Sequence, residues 1–145
     1  MAITSNAICN SFKKELLEAK HNFSNPGGNS FKLAMYTSAA VIGKSTTSFL
    51  TTGQVSSPSG YSSGGKALTN VGTSMATNTA ITDFADLSFT GVTLTARGAL
   101  IYNDTASGDP AVCVLDFGGD KTATSGTFTI QFPAFTTSAA ILRIA

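Results

Sequence analysis

TARGALIYN, Thr95 to Asn103, and AVCVLDFGGDK, Ala111 to Lys121, decide the fold. Both are runs of small, branched and aromatic apolar residues; the first is interrupted by one charge, Arg97, and the second by Asp116 before it ends in Asp120 and Lys121. AVCVLDF, Ala111 to Phe117, is apolar on both faces, as in a central strand covered from both sides. Between the two runs DTASGDP, residues 104–110, supplies a loop of hairpin length. The runs therefore read as neighbouring antiparallel strands. Arg97 and Asp116 are their polar exceptions. Arg, Tyr, Asp and Gly together also suit an active site, but the apolar setting favours the buried middle of a sheet. A buried charge left alone is costly. Arg97 is therefore expected to be partnered by Asp116 or by loop carbonyls, in a structural role.

Working outward, the period-2 pattern continues on both sides. GTFTIQFP, Gly126 to Pro133, turns Phe128, Ile130 and Phe132 one way and Thr127, Thr129 and Gln131 the other. GGDKTATSG, residues 118–126, reads as the turn before it. FKLAMY, Phe31 to Tyr36, places Phe31, Leu33 and Met35 opposite Lys32, Ala34 and Tyr36. KALTNV (66–71), Asp83 to Phe89, Leu94 to Tyr102 and the closing AAILRIA (139–145) complete the set of strands. The expected architecture is mainly β: a single domain, residues 1–145, forming a sandwich of two antiparallel sheets, with jelly-roll connections as one form of it.

One helix is expected, over residues 6–23. Ile8, Phe12, Leu16, Ala19 and Phe23 recur at three- and four-residue steps, and Leu17 widens the stripe. Ser5 or Asn6 is the expected cap, and SNPGGNS, Ser24 to Ser30, ends the helix. Residues 38–65 are rich in Ser, Thr and Gly, with Pro58 inside SSPSGYSSGG. Val41, Ile42, Phe49, Leu50, Val55 and Tyr61 are anchors that a free linker lacks. The segment therefore reads as an extended surface loop with an edge strand near SFLTTGQV.

Composition narrows the function. The net charge of +1 gives no field for nucleic acid, and charged residues are only 12% of the chain. Hydroxyls replace them, and a hydroxyl costs less to desolvate than a charge at a subunit contact. No run approaches the roughly 20 apolar residues of a membrane span, and no basic n-region precedes an apolar stretch. The chain thus reads as soluble and made in the cytoplasm. Cys9 and Cys113 read as reduced, buried small hydrophobes. His21, the lone histidine, lacks the partners of a zinc site and reads as a cation at the helix C-terminus. Gly43-Lys44-Ser45 has Ser38 where a P-loop needs its first glycine. Asp83, Asp86, Asp104 and Asp109 sit at strand starts and turns, where aspartate bonds nearby backbone N–H groups. The expectation is a protein without catalytic residues, metal or cofactor.

Several of these segments together resemble a known family. FKLAMYTSAA, GYSSGGKALTNV, FADLSFTGVTLTARGALIYN, AVCVLDFGGDKTATSGTFTIQFP and AAILRIA are similar to small virion structural proteins of tailed bacteriophages, including capsid decoration or cement proteins. The likeness spans residues 31–145 and is most specific in TARGALIYN and VCVLDFGGDK. It implies a protein on the capsid surface that bridges major capsid protein subunits, as a trimer or dimer, with no nucleic acid or membrane partner. Phe12, Leu16, Phe49 and Tyr61 are the expected partner contacts. A tail, neck or fibre component is the alternative structural role. A carbohydrate-binding module using exposed Asp and Tyr is the alternative of another class, and the lack of tryptophan counts against it.

Overall fold

The computed structural model describes residues 3–56 and 60–145; Pro58 lies outside the described residues. In chain order the elements are β1 (Ala7–Ile8), α1 (Asn10–Leu17), β2 (Phe31–Tyr36), β3 (Lys66–Ala67), β4 (Asn70–Ala76), β5 (Thr79–Phe84), β6 (Leu87–Asn103), β7 (Ala111–Ile130) and β8 (Leu142–Ile144). They form a sheet ordered β1-β7-β6-β2-β3 and a smaller one ordered β4-β5-β8. Every pairing is antiparallel. The fold is therefore mainly β and sandwich-like, with a single short helix among the described residues.

TARGALIYN and AVCVLDF are adjacent strands, joined by the 104–110 loop. Gly98 to Asn103 and Ala111 to Val114 are all buried, so this half of the hairpin is covered on both faces. Register shows what covers it. Phe31 pairs with Asn103 and Leu33 with Ile101, and through Phe31 that face meets the segment after α1. On the other face Tyr36 and Tyr102 reach the long loop: the Tyr36 hydroxyl donates to Leu50 O and that of Tyr102 to Gly64 O, both at 2.6 Å. Residues 38–56 and 60–65 are thus held against the sheet, with Ala40, Ile42, Val55 and Tyr61 buried. Val41 is exposed. The expected edge strand near SFLTTGQV is reduced to isolated bridges at Ser48 and Gln54.

The other half of the hairpin is a half-exposed ribbon. Leu87, Phe89, Val92, Leu94 and Ala96 point inward. The outer face carries hydroxyls that pair across the strands, Ser88 with Thr129 and Thr95 with Thr122, each at 2.9 Å. GGDKTATSG is not a turn between two strands. β7 runs through it without a break, from Ala111 to Ile130. Nor does one strand span 83–89: β5 ends at Phe84 and the chain changes sheet before Leu87. KALTNV likewise divides between β3 and β4. Phe31 of the large sheet lies 5.8 Å from Phe84 of the small one, ring to ring, and Phe23 stacks on Phe31 at 4.4 Å. This aromatic cluster joins the sheets.

The helix is shorter than its periodicity implies. Residues 7 and 8 pair with Val114 and Cys113, so the chain is still a strand there. Cys9, in extended conformation and without a side-chain cap bond, occupies the N-cap position. Asn6 instead accepts a bond from Asp116 N. At the other end Ala19 takes φ 58°, with Ala19 N donating to Leu16 O and Lys20 N to Glu15 O. That is a Schellman closure with alanine where glycine is usual. Replacing Ala19 with Gly is expected to stabilise the protein by about 1 kcal/mol, because the left-handed conformation strains any Cβ. An alanine inside a continuous helix predicts the opposite, a loss of about 1 kcal/mol. The sign measured by urea unfolding distinguishes the two.

Candidate interaction surface

Arg97 and Asp116 do meet. Arg97 Nη1 lies 3.0 Å from Asp116 Oδ1, with the side chains 21% and 14% exposed. The Nη1 N–H groups are not aimed along that contact, so it is an ion pair rather than a directed hydrogen bond. Nη2 donates to Ile3 O at 3.2 Å. The pair stands at a break in register. Ala96 opposes Lys121 and Gly98 opposes Asp116, so two steps along β6 face five along β7. Residues 117–120 bulge out opposite Arg97. Asp116 Oδ1 accepts Gly118 N at 2.9 Å and so shapes the bulge from within. The pair thus ties β6, the bulge and the N-terminal segment together.

The other polar candidates are engaged in structure. His21 lies beyond α1 and is buried, so it is not the exposed cation expected at a helix end. Asn103, fully buried at the end of TARGALIYN, approaches His21 Nδ1 at 3.1 Å and donates to Asn29 Oδ1 at 3.0 Å. It also accepts Thr105 N and Ala106 N, fixing the 104–110 loop. With Nδ1 accepting from the amide, the His21 proton belongs on Nε2, which faces Glu15 at 3.8 Å. Glu15 is itself buried and paired with Lys20 at 3.0 Å. Burial holds the His21 pKa below its ordinary value; Glu15 opposes that and Lys20 adds to it.

Burial pushes the Cys9 thiol up to about 11 and raises that of Cys113 as well; both cysteines are free. Protonated thiols of this kind are poor nucleophiles. Asp104 pairs with Lys32 at 3.4 Å, and Asp109 sits in the loop with φ 48°. Asp83 is buried on β5, and desolvation raises its carboxyl above the usual range. Gly43 lies in a turn closed by Thr46 N to Gly43 O, and no helix follows it. Among the described residues no three His, Cys, Asp or Glu side chains gather as a metal site.

The feature that remains is apolar. A groove of about 600 Å³ opens between α1 and the small sheet. Phe12 is one of its walls but is itself buried, edge-on to Phe23 at 6.0 Å, and Leu16 beside it is half-buried. Leu17, 91% exposed, stands at the rim with Ile8 and Ile144. Of the other expected contacts, Tyr61 is buried and bonded to Met35 N and Gln54. Phe49 is half-buried, stacked on Tyr102 at 4.8 Å. Neither presents a free face comparable to Leu17. The helical stripe of the sequence placed Leu17 only at its margin.

Arg97→Met leaves Asp116 partly buried without a counter-charge and is expected to cost about 1–3 kcal/mol in urea unfolding. A double change with Asp116→Asn is expected to cost less than the sum of the two single changes. His21 predicts a pH dependence. Because its folded pKa is lowered, the unfolded chain takes up the proton first as pH falls. Stability from this group is complete above the unfolded pKa and is lost as pH drops from there toward the folded pKa. Urea midpoints for the wild type are expected to fall between about pH 7.5 and pH 5.5, and the His21→Gln profile to be flatter over that window.

Compared with protein-family models, curated proteins and solved structures, the chain matches none.

Proposed function

We propose that the chain is a structural protein of a tailed-bacteriophage head, binding the outer capsid surface as a homo-oligomer and bridging major capsid protein subunits. One observation carries this reading: large apolar side chains stand exposed around a groove on a chain that otherwise buries its core and bears few charges. Exposed apolar clusters of this kind mark contact surfaces. The resemblance of TARGALIYN and VCVLDFGGDK supplies the virion context. A capsid repeats its binding position many times, so modest contacts at each site gain from multivalency. The doubly covered hairpin supplies a stiff base for such contacts. No catalytic step is part of this reading.

A tail, neck or fibre location would use the same surface. The carbohydrate-binding alternative loses its stacking groups, because Tyr36, Tyr61 and Tyr102 are all buried. Heads assembled without the protein are expected to release their DNA at a lower temperature than complete heads, and adding the purified protein back is expected to restore the original value. An unchanged release temperature contradicts cementing, and cryo-EM density confined to the tail contradicts the capsid location.

A further inference from the structure

The strand edges differ in how they are closed. Ser88 of β6 and Thr129 of β7 are paired, and on the β6 side the Lys66 ammonium donates to Ser88 O at 2.6 Å. At the edge of the small sheet Asn25 Nδ2 donates to Asn70 O, also at 2.6 Å. Charged and capped edges of this kind resist pairing with another chain. The outer edge of β7 has no such guard. It pairs with β1 only at Cys113 and Val114, and the N-terminal segment reaches no further than Asp116 N, which donates to Asn6 Oδ1. From Thr122 to Leu142 the sequence holds no charge, and Pro133 comes only after the strand.

The backbone of this edge faces outward in a fixed order. Phe132 N donates to Asp86 Oδ1, toward the β6 side, at 2.8 Å. Backbone groups alternate in direction along a strand. Phe128 and Ile130 therefore bond β6, whereas the N–H and C=O groups of Thr127, Thr129 and Gln131 point away from it. The outward carbonyl of Ser88, opposite Thr129, obeys the same alternation. Among the described residues no other segment bonds the backbone of these three, and all three are exposed. A groove of about 490 Å³ runs beside them, lined from Thr127 to Pro133 by residues of both strand faces, so it opens at the edge. Half-buried Leu115, Phe117 and Ile141 line it as well.

We propose that this edge pairs with the same edge of a second copy, antiparallel about a two-fold axis through Thr129. In that register Thr129 exchanges backbone bonds with the partner's Thr129, and Thr127 exchanges them with the partner's Gln131. Every outward group of the three is then used. Moving the axis one residue either way leaves Thr127 or Gln131 without an equal partner. Both faces match in the same register. Outside, Thr, Thr and Gln meet and no charge faces its equivalent. Inside, Phe128 stands beside the partner's Ile130, and Phe132 falls opposite the partner's Gly126, which has no side chain to obstruct it. The apolar inner rows thus continue across the axis and cover the mouth of the groove. A strand of another protein has the same backbone groups to offer, but β7 itself supplies both matching rows. The pairing deepens the homo-oligomer of the function proposed above by naming its contact, and does not depend on the capsid.

The test is sedimentation equilibrium of the full chain. The wild type is expected to be a dimer at about 100 μM. Thr129→Lys sets like charges against each other across the axis and is expected to weaken association at least about tenfold. Thr129→Glu is expected to do the same, and mixing the two variants is expected to restore the dimer, because this register sets position 129 against itself. Thr129→Pro removes an N–H that one copy alone does not use, and is expected to give a monomer with an unchanged circular dichroism spectrum. A wild-type monomer or closed trimer overturns the proposal. So does a dimer indifferent to Thr129→Lys and Thr129→Pro, a dimer that Leu17→Asn dissociates, or failure of the Lys and Glu variants to associate when mixed. The experiment contains no virion component, so its failure is distinct from an unchanged DNA-release temperature.

Discussion

The structure depends on burial of one half-hairpin from both sides. Gly98 to Asn103 and Ala111 to Val114 have no exposed face, so their backbone groups must pair within the sheet and their side chains must be covered. The rest of the chain supplies that cover. β2 and β1 flank the hairpin, the segment after α1 packs through Phe23 and Phe31, and the long loop is pinned by the hydroxyls of Tyr36 and Tyr102. Gly98 shows how close this cover is: a Cβ there would lie 2.7 Å from Ile3 Cδ1 and would meet Leu115 O. Asn103 closes the end by bonding the following turn and approaching His21.

The hairpin was legible because its chemistry is local. Apolar runs that fill both faces, separated by a seven-residue polar loop, have few other readings. GGDKTATSG was misleading for a physical reason. Glycine with a preceding aspartate serves a bulge as well as a turn, and the Asp116 carboxylate bonds Gly118 N within a strand that continues. The helix failed in a similar way. Phe23 falls in phase with Phe12 and Leu16, yet the chain leaves the helix at Ala19, where no glycine signals the turn. Glu15 turns inward because Lys20 reaches its carboxylate, an arrangement that periodicity does not reveal.

The surface was less legible than the core. Its members come from β1, α1, β4, β5 and β8, and only the fold brings them together. Phe12 and Leu16 line the groove, but Leu17 is the side chain that stands free. The low charge of the sequence has two physical outlets. On the hairpin's outer face it becomes a ladder of paired hydroxyls, and at the groove it becomes an apolar opening. The first needs no partner. The second leaves large apolar side chains in water, the observation on which the proposed contact surface rests.

Native-state hydrogen exchange tests the central claim most directly. The account predicts that the amides of Leu100 to Tyr102 and Val112 to Val114 exchange slowest of all, through global unfolding alone. The ribbon from Ser88 to Thr95 and from Thr122 to Thr129 is expected to open earlier, by local fluctuations. Equal or greater protection in the ribbon would contradict the view that the doubly covered half-hairpin is the part on which the rest of the structure depends.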